Sequence, residues 1–247
     1  MLSLWIQTVS SFAMLIIILL VQVLIYPQFK HVNSNDLPKY AKFHIKKISW
    51  VVIPFMLAEL ISLLTLWTNK ETWSFWLISA TGLLVLIWVL TFLKIAPLHN
   101  QIALNSDAEL LPKLIQLNSV RTMLWTLKSA SVFCLFIVFI MPNLQYQAIY
   151  NANINTKLTK PNGSKVIHEG VISSKDLNNA LSALNAHLID QEGSLQKYIV
   201  RTSYLKFPDL LIIDHKKELT ILWSKSLMGY FDFGKNKDRL KWIQKRL

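Results

Sequence analysis

The sequence predicts a membrane all-α four-helix bundle followed by a small soluble α+β domain with antiparallel strands, and three observations predict it. Residues 1–141 hold four long apolar runs, the chain beyond Pro142 turns polar and mixed, and the whole is too apolar for an ordinary water-soluble protein. Of 247 residues 53% are AVILMFWYC, only 16% are charged, nine are Trp, and mean hydropathy is +0.36. Such a chain has too little polar surface to face water on all sides. With only six Gly and eight Pro it is neither disordered nor collagen-like.

The four runs are Leu4 to Tyr26, Ile48 to Trp67, Trp73 to Leu93 and Thr122 to Met141. Each is about long enough to cross roughly 30 Å of hydrocarbon as a helix. The first begins without Lys or Arg and has no small-residue cleavage pattern behind it, so it is expected to be a retained span and not a signal peptide.

Orientation follows from the cations. Lys30, Lys39, Lys42, Lys46 and Lys47 lie between the first two runs against Asp36 alone, whereas Lys70 and Glu71 share the next loop. The first loop is therefore expected in the cytoplasm, with the N-terminus and the C-terminal domain on the outer, periplasmic face of the plasma membrane. Lys94, Lys113, Arg121 and Lys128 flank a third loop that also holds Asp107 and Glu109. Aromatic belts are expected from Trp5, Trp67, Trp73 and Trp76 outside and from Tyr26, Trp50 and Trp125 inside.

Residues 142–160 are rich in Asn, Gln and Tyr without a sustained period and read as a linker. From 161 to 247 the pattern is α+β. Leu177, Ala180, Leu181, Leu184 and Leu188 predict a helix over Ser174 to Leu188 with Ser173 or Ser174 as its cap. Lys197 to Leu205, Leu210 to Ile213 and Leu219 to Trp223 read as consecutive strands divided by Phe207-Pro208-Asp209 and Asp214-His215-Lys216-Lys217, and Asp238 to Leu247 closes the chain as a basic helix.

Net charge is +12, and residues 142–247 supply +7 of it, with thirteen Lys and three Arg against six Asp and three Glu. No helix-turn-helix, zinc-finger or RNP pattern accompanies the charge. The expected partners are membrane lipids and other envelope proteins, and not nucleic acid. Cys134 is the only cysteine and lies within the fourth run, which leaves neither an intrachain disulfide nor a thiol metal cluster.

An ionisable side chain inside a span is costly, which singles out Glu59 and Lys128. Counted from the starts of their spans they reach comparable depth and can meet, either as an ion pair that registers two helices or as a proton relay or ligand counter-ion. A second group collects at the cytoplasmic ends: Gln22 and Tyr26, His44, His99, Asn118 and Arg121. Two histidines from different loops are suitable metal or haem ligands. Both, however, flank the spans, so interfacial hydrogen bonding is their ordinary use, and neither a cofactor nor a metal is expected. No nucleophile elbow, P-loop, dinucleotide glycine pattern, HExxH or CxxC is present.

The stretch from Trp223 to Arg239 resembles the closing signature of the domain of unknown function 1499 family, approximately R-S-x-S-R-x-G-x-x-D-x-G-x-N-R-x-R, with Ser224, Ser226, Gly229, Asp232, Gly234, Asn236 and Arg239 on matching positions. Phe207-Pro208-Asp209 is similar to that family's turn between strands. Trp223, Leu227 and Lys237 stand where the pattern has arginines, and its leading cysteines are missing. The resemblance implies a fold and an exported habit, not a reaction. Physically, Gly229 and Gly234 would permit tight turns around Asp232, whose carboxylate would accept loop N–H groups or pair with Arg239. That leaves either a self-locked loop or a small binding surface. The N-terminal half is similar to a group of uncharacterised four-span bacterial membrane proteins through Tyr26-Pro27, His44, Pro54-x-Met56-x-x-Glu59, Pro97-x-His99 and Asn118-x-x-Arg121-Thr122-x-x-Trp125.

The sequence thus predicts an integral membrane protein that tethers an outward-facing α+β module for binding or envelope maintenance, more a binding protein than an enzyme. The alternative is a membrane oxidoreductase or transporter subunit using Glu59, Lys128, His44 and His99.

Overall fold

The computed structural model describes residues 1–33, 35–105, 108–170, 172–216 and 218–247. Asp107 and Lys217 lie outside the described residues. The chain forms two compact units, Met1–Phe136 and Ile137–Leu247.

Four helices are long and apolar enough to cross a membrane: α1 (Leu2–Phe29), α2 (Leu37–Thr68), α3 (Phe75–Leu104) and α4 (Leu111–Leu144). They are compatible with a multi-pass membrane protein. Large side chains point outward along them, including Trp50 at 76%, Leu93 at 66% and Ile61 at 63% exposure, which suits a hydrocarbon surround and not water.

Each helix runs further than its apolar stretch. Lys39, Lys42, Lys46 and Lys47 lie in the first turns of α2, and α4 begins at Leu111 and not near Thr122. The polar turns are helical because Pro38 and Pro112 sit in the opening turns, where the missing N–H costs nothing. His44, His99, Asn118 and Arg121 are therefore helix residues and not loop residues.

Tyr26 (2% exposed) and Trp125 (1%) are buried, so neither belongs to an aromatic belt. Both α1 and α3 are interrupted once by a five-residue π turn, Val21–Ile25 and Thr91–Ile95, and each turn is followed within two residues by a proline, Pro27 and Pro97. The insertion lets the helix pass a residue that cannot donate its amide hydrogen.

In the second unit a five-stranded antiparallel sheet has the order β1-β5-β4-β3-β2, with β1 Gly163–Glu169, β2 His187–Glu192, β3 Leu195–Arg201, β4 Pro208–His215 and β5 Leu219–Ser226. The two edge strands, β1 and β2, were not expected from the sequence. Helix α6 (Ser174–Ala183) is shorter than its apolar spacing suggests, since Asn185 adopts a left-handed φ of 47° and Leu188 enters β2. Helix α7 spans Lys235–Gln244.

The sheet is covered on both faces. Tyr198, Val200, Leu211, Ile213 and Leu222 meet Leu177, Leu181, Leu240 and Ile243 of α6 and α7. On the other face Ile199, Leu210, Ile212, Ile221 and Trp223 pack with Ile149, Ala152 and Ile154. The stretch 142–160 is thus a layer of the core and not a linker: it holds the end of α4, helix α5 (Tyr146–Tyr150) and the segment after it. Burial on both faces explains why β4 is an almost continuous apolar run.

Candidate functional site

In the first unit the ends of α1 and α3 and the starts of α2 and α4 surround a cavity of about 400 Å³. That lies within the usual range for small-molecule sites, roughly 300–1,000 Å³. Met14, Ile18, Met56, Ile87 and Phe92 make apolar wall, and Tyr26, His44, His99 and Arg121 make a polar end.

The polar end is built as a chain. Gln22, inside the π turn of α1, donates to Ser119 (2.8 Å) and accepts from Asn118 Nδ2 (2.6 Å). Asn118 Oδ1 in turn accepts from Arg121 Nε (3.0 Å) and Nη2 (2.5 Å). Arg121 also reaches the Tyr26 hydroxyl, which lies 2.7 Å from His99 Nε2. The His44 and His99 ring centres are 6.0 Å apart.

Arg121 can only donate, so the Tyr26 oxygen accepts from it, and the direction of the Tyr26–His99 hydrogen bond follows the imidazole tautomer. His99 Nδ1 is buried without a partner among the described residues. The indole Nε1 of Trp88, another lining residue, is likewise buried and unpartnered. No ion pair among the described residues involves Arg121. Among the described residues the cavity lining therefore holds a cation and no carboxylate.

Glu59 and Lys128 form an ion pair, and both side chains are fully buried. Lys128 also donates to Ser11 Oγ (2.9 Å) and lies 4.9 Å from the ring centre of Trp125, a residue of the cavity wall. Gln7 completes the cluster: with its amide nitrogen toward Ser62 Oγ (2.6 Å) and the Glu59 carbonyl (2.9 Å), its oxygen accepts from Lys128 (3.2 Å). Glu59 Oε2 has no hydrogen-bond partner among the described residues. Among the described residues no three His, Cys, Asp or Glu side chains are grouped as a metal site requires.

Two short patterns recur in this unit. Ile25-Tyr26-Pro27 follows the first π turn as Ile95-Ala96-Pro97 follows the second, and Leu37-Pro38-Lys39 opens α2 as Leu111-Pro112-Lys113 opens α4. Counted from those openings, His44 corresponds to Asn118 and Pro54 to Lys128. This self-similarity was the sequence signal for the site, and a search for single motifs passes over it.

In the second unit the Asp232 loop is a closed network. Asp232 accepts from the backbone N–H of Gly234 and Asn236, both at 3.0 Å, and from Asn236 Nδ2 at 2.8 Å. Arg239 does not pair with Asp232: it donates to Asp209 (2.6 Å), which also accepts from Ser226 (2.5 Å). Ser224 and Asn236 are fully buried and bonded to each other (2.5 Å). Asn162 and Asp209, which the sequence did not mark as site residues, tie the loop down: the Asn162 carbonyl accepts from Asn236 and its amide donates to Gly229. Gly229 and Gly234 adopt φ of 82° and 77°, as tight turns require. The polar side chains of the loop are thus directed at one another.

Comparison with known proteins yields no match to a family model, a curated protein or a solved structure.

Proposed function

We propose that this chain is an integral membrane protein whose four-helix unit binds an amphipathic, membrane-soluble molecule. Its head would carry anionic oxygen, as a carboxylate or phosphate, and its tail would be a hydrocarbon chain. The observation that carries this reading is the cavity with an apolar wall and a polar end that holds the Arg121 guanidinium, where no lining residue is a carboxylate and His99 Nδ1 and Trp88 Nε1 have no partner among the described residues. A cation at membrane depth is costly until something compensates it. A head carrying anionic oxygen would compensate Arg121, while Met14 and Met56 offer adaptable wall for a tail.

The reading favours the membrane unit over the Asp232 loop as the seat of binding, because the loop's polar groups are committed to its own structure. The lysines of residues 30–47 support a cytoplasmic position for the polar end and an outer position for the α+β unit, in the plasma membrane. Resemblance of 161–247 to an exported family points the same way.

Native mass spectrometry of gently solubilised protein tests the proposal. One anionic amphiphile per chain, depleted in Arg121→Gln, is the expected result. Empty protein, or a neutral lipid retained equally by Arg121→Gln, overturns it. Stoichiometric haem or metal lost in His44→Ala or His99→Ala overturns it in favour of a redox subunit.

A further inference from the structure

The antiparallel sheet has two ends, and they differ in chemistry. Register places Arg201 opposite Pro208, Asp209 opposite Ser226 and Gly163 opposite Lys225 at one end. Glu169, Leu195 and Leu219 mark the other, six or seven residues away along the strands. That is roughly 20–24 Å.

The first end is where the apolar helix α4 finishes. Arg201 Nη1 donates to the Val138 carbonyl (2.9 Å), the oxygen that Pro142 leaves without its helical donor, and the guanidinium lies 4.5 Å from the Phe139 ring centre. Gln145, just past the helix, donates to the Leu227 carbonyl (2.8 Å). The last turns of α4 are thus fastened to the strand ends and to the start of the 227–234 loop.

The same end presents aromatic side chains to the outside: Tyr204 at 63% exposure, Tyr230 at 57%, Phe231 at 60% and Phe233 at 93%. They are held there. The Asp232 network fixes the loop, Phe233 keeps a left-handed φ of 52°, and Tyr230 and Phe231 stack edge to face at 4.9 Å. Lys206, Lys235 and Lys237 stand in or beside these two loops with Asp232 and Asp238, and Glu169, Glu192 and Glu218 are at the opposite end with Lys216.

We infer that the Tyr230–Phe233 loop, with Tyr204, is a membrane-interface anchor that inserts its rings among the headgroups of the bilayer crossed by α4. The inference rests on α4 as a span and is independent of what the cavity binds. Aromatic rings favour the headgroup level, and lysines around them favour anionic lipid. The occupant is the lipid surface because the end of α4 leads directly to this face. A loop locked by its own carboxylate holds the rings out without help from a partner.

The test uses the full chain with Cys134→Ser, reconstituted in nanodiscs of equal parts phosphatidylcholine and phosphatidylglycerol. Nitroxide labels are placed singly at Phe233→Cys, at Phe231→Cys as a second site in case the first disturbs the turn, and at Gln191→Cys near the opposite end. Collision with oxygen against collision with a water-soluble nickel chelate reports depth. Labels at 233 and 231 are expected to favour oxygen severalfold over the label at 191. Equal nickel access at all three sites overturns the anchor. Labels at 233 and 231 shielded from both reagents also overturn it, since that reports a protein contact.

Discussion

Pro142 and Arg201 are coupled through one carbonyl: the proline supplies no amide hydrogen to the Val138 oxygen, and Arg201 Nη1 supplies one from 2.9 Å. Arg201→Ala orphans that oxygen and is expected to cost about 1–3 kcal/mol, the range for a buried unsatisfied group. Arg201→Ala combined with Pro142→Ala lets the helix satisfy Val138 itself and recovers a substantial part of the loss. Thermal unfolding of the four proteins of that cycle checks the coupling, and additive losses would refute it.

Glu59 and Lys128 are sealed from solvent, so removing either leaves a buried charge. Glu59→Leu or Lys128→Met alone is expected to destabilise by about 3–5 kcal/mol, and the double replacement by much less, because both desolvation costs vanish together. Detergent-solubilised unfolding of the single and double variants reads this directly. If the double variant instead unfolds as readily as the worse single one, the pair contributes more than register.

Arg121→Gln is expected to lower occupancy of the cavity tenfold or more, equivalent to about 1.4 kcal/mol. Tyr26→Phe removes the hydroxyl between Arg121 and His99 while keeping the ring, and its expected effect is smaller, about 0.5–1.5 kcal/mol. Binding of a fluorescent fatty acid to the parent protein and to each variant ranks the two.

Arg239→Ala leaves the Asp209 carboxylate buried with Ser226 but no cation. The expected cost is about 3–5 kcal/mol in the α+β unit. Arg239→Lys restores the charge but not the second contact, to Asn236 Oδ1 at 2.8 Å, and recovers only part of the loss. Denaturant unfolding followed at Trp223, buried in the sheet, reports it.

His215 titrates below the ordinary histidine range, because burial lowers its pKa and Asp214 only partly offsets this. The unfolded chain, with a pKa near 6.5, binds more protons than the folded one between those two values. Stability therefore rises with pH across that window, is complete above about 6.5, and falls as the pH drops through it. His215→Gln is expected to flatten this dependence. An NMR titration of the His215 ring gives the folded value, and a midpoint above 6.5 would reverse the sign.

The four apolar helices are legible because hydropathy over twenty residues is a strong signal, and comparable depth for Glu59 and Lys128 requires only counting along helices. The polar first turns of α2 and α4 are not: Lys39, Lys42, Lys46 and Lys47 look like a loop until Pro38 is read as an opening residue. This moves His44 off a loop and places Arg121 well inside α4 instead of at its opening, and with them the polar end of the cavity. The π turns at Val21–Ile25 and Thr91–Ile95 have no compositional mark. Strand β2 is hidden for a different reason, being an edge strand with little buried surface and hence little apolar pattern. At the Asp232 loop the choice between Arg239 and backbone amides as partners depended on Asp209, thirty residues distant in sequence and adjacent in space.

The repeat within the first unit has a consequence for symmetry. Two identical hairpins meeting about an axis along the membrane normal would make two equal half-sites, and a guest between them would have two equivalent orientations. Here Tyr26 stands where the second half has Ala96, His44 where it has Asn118, and Pro54 where it has Lys128. The two halves therefore do not present equal half-sites, and a molecule bound between them would meet a different set of side chains in each orientation.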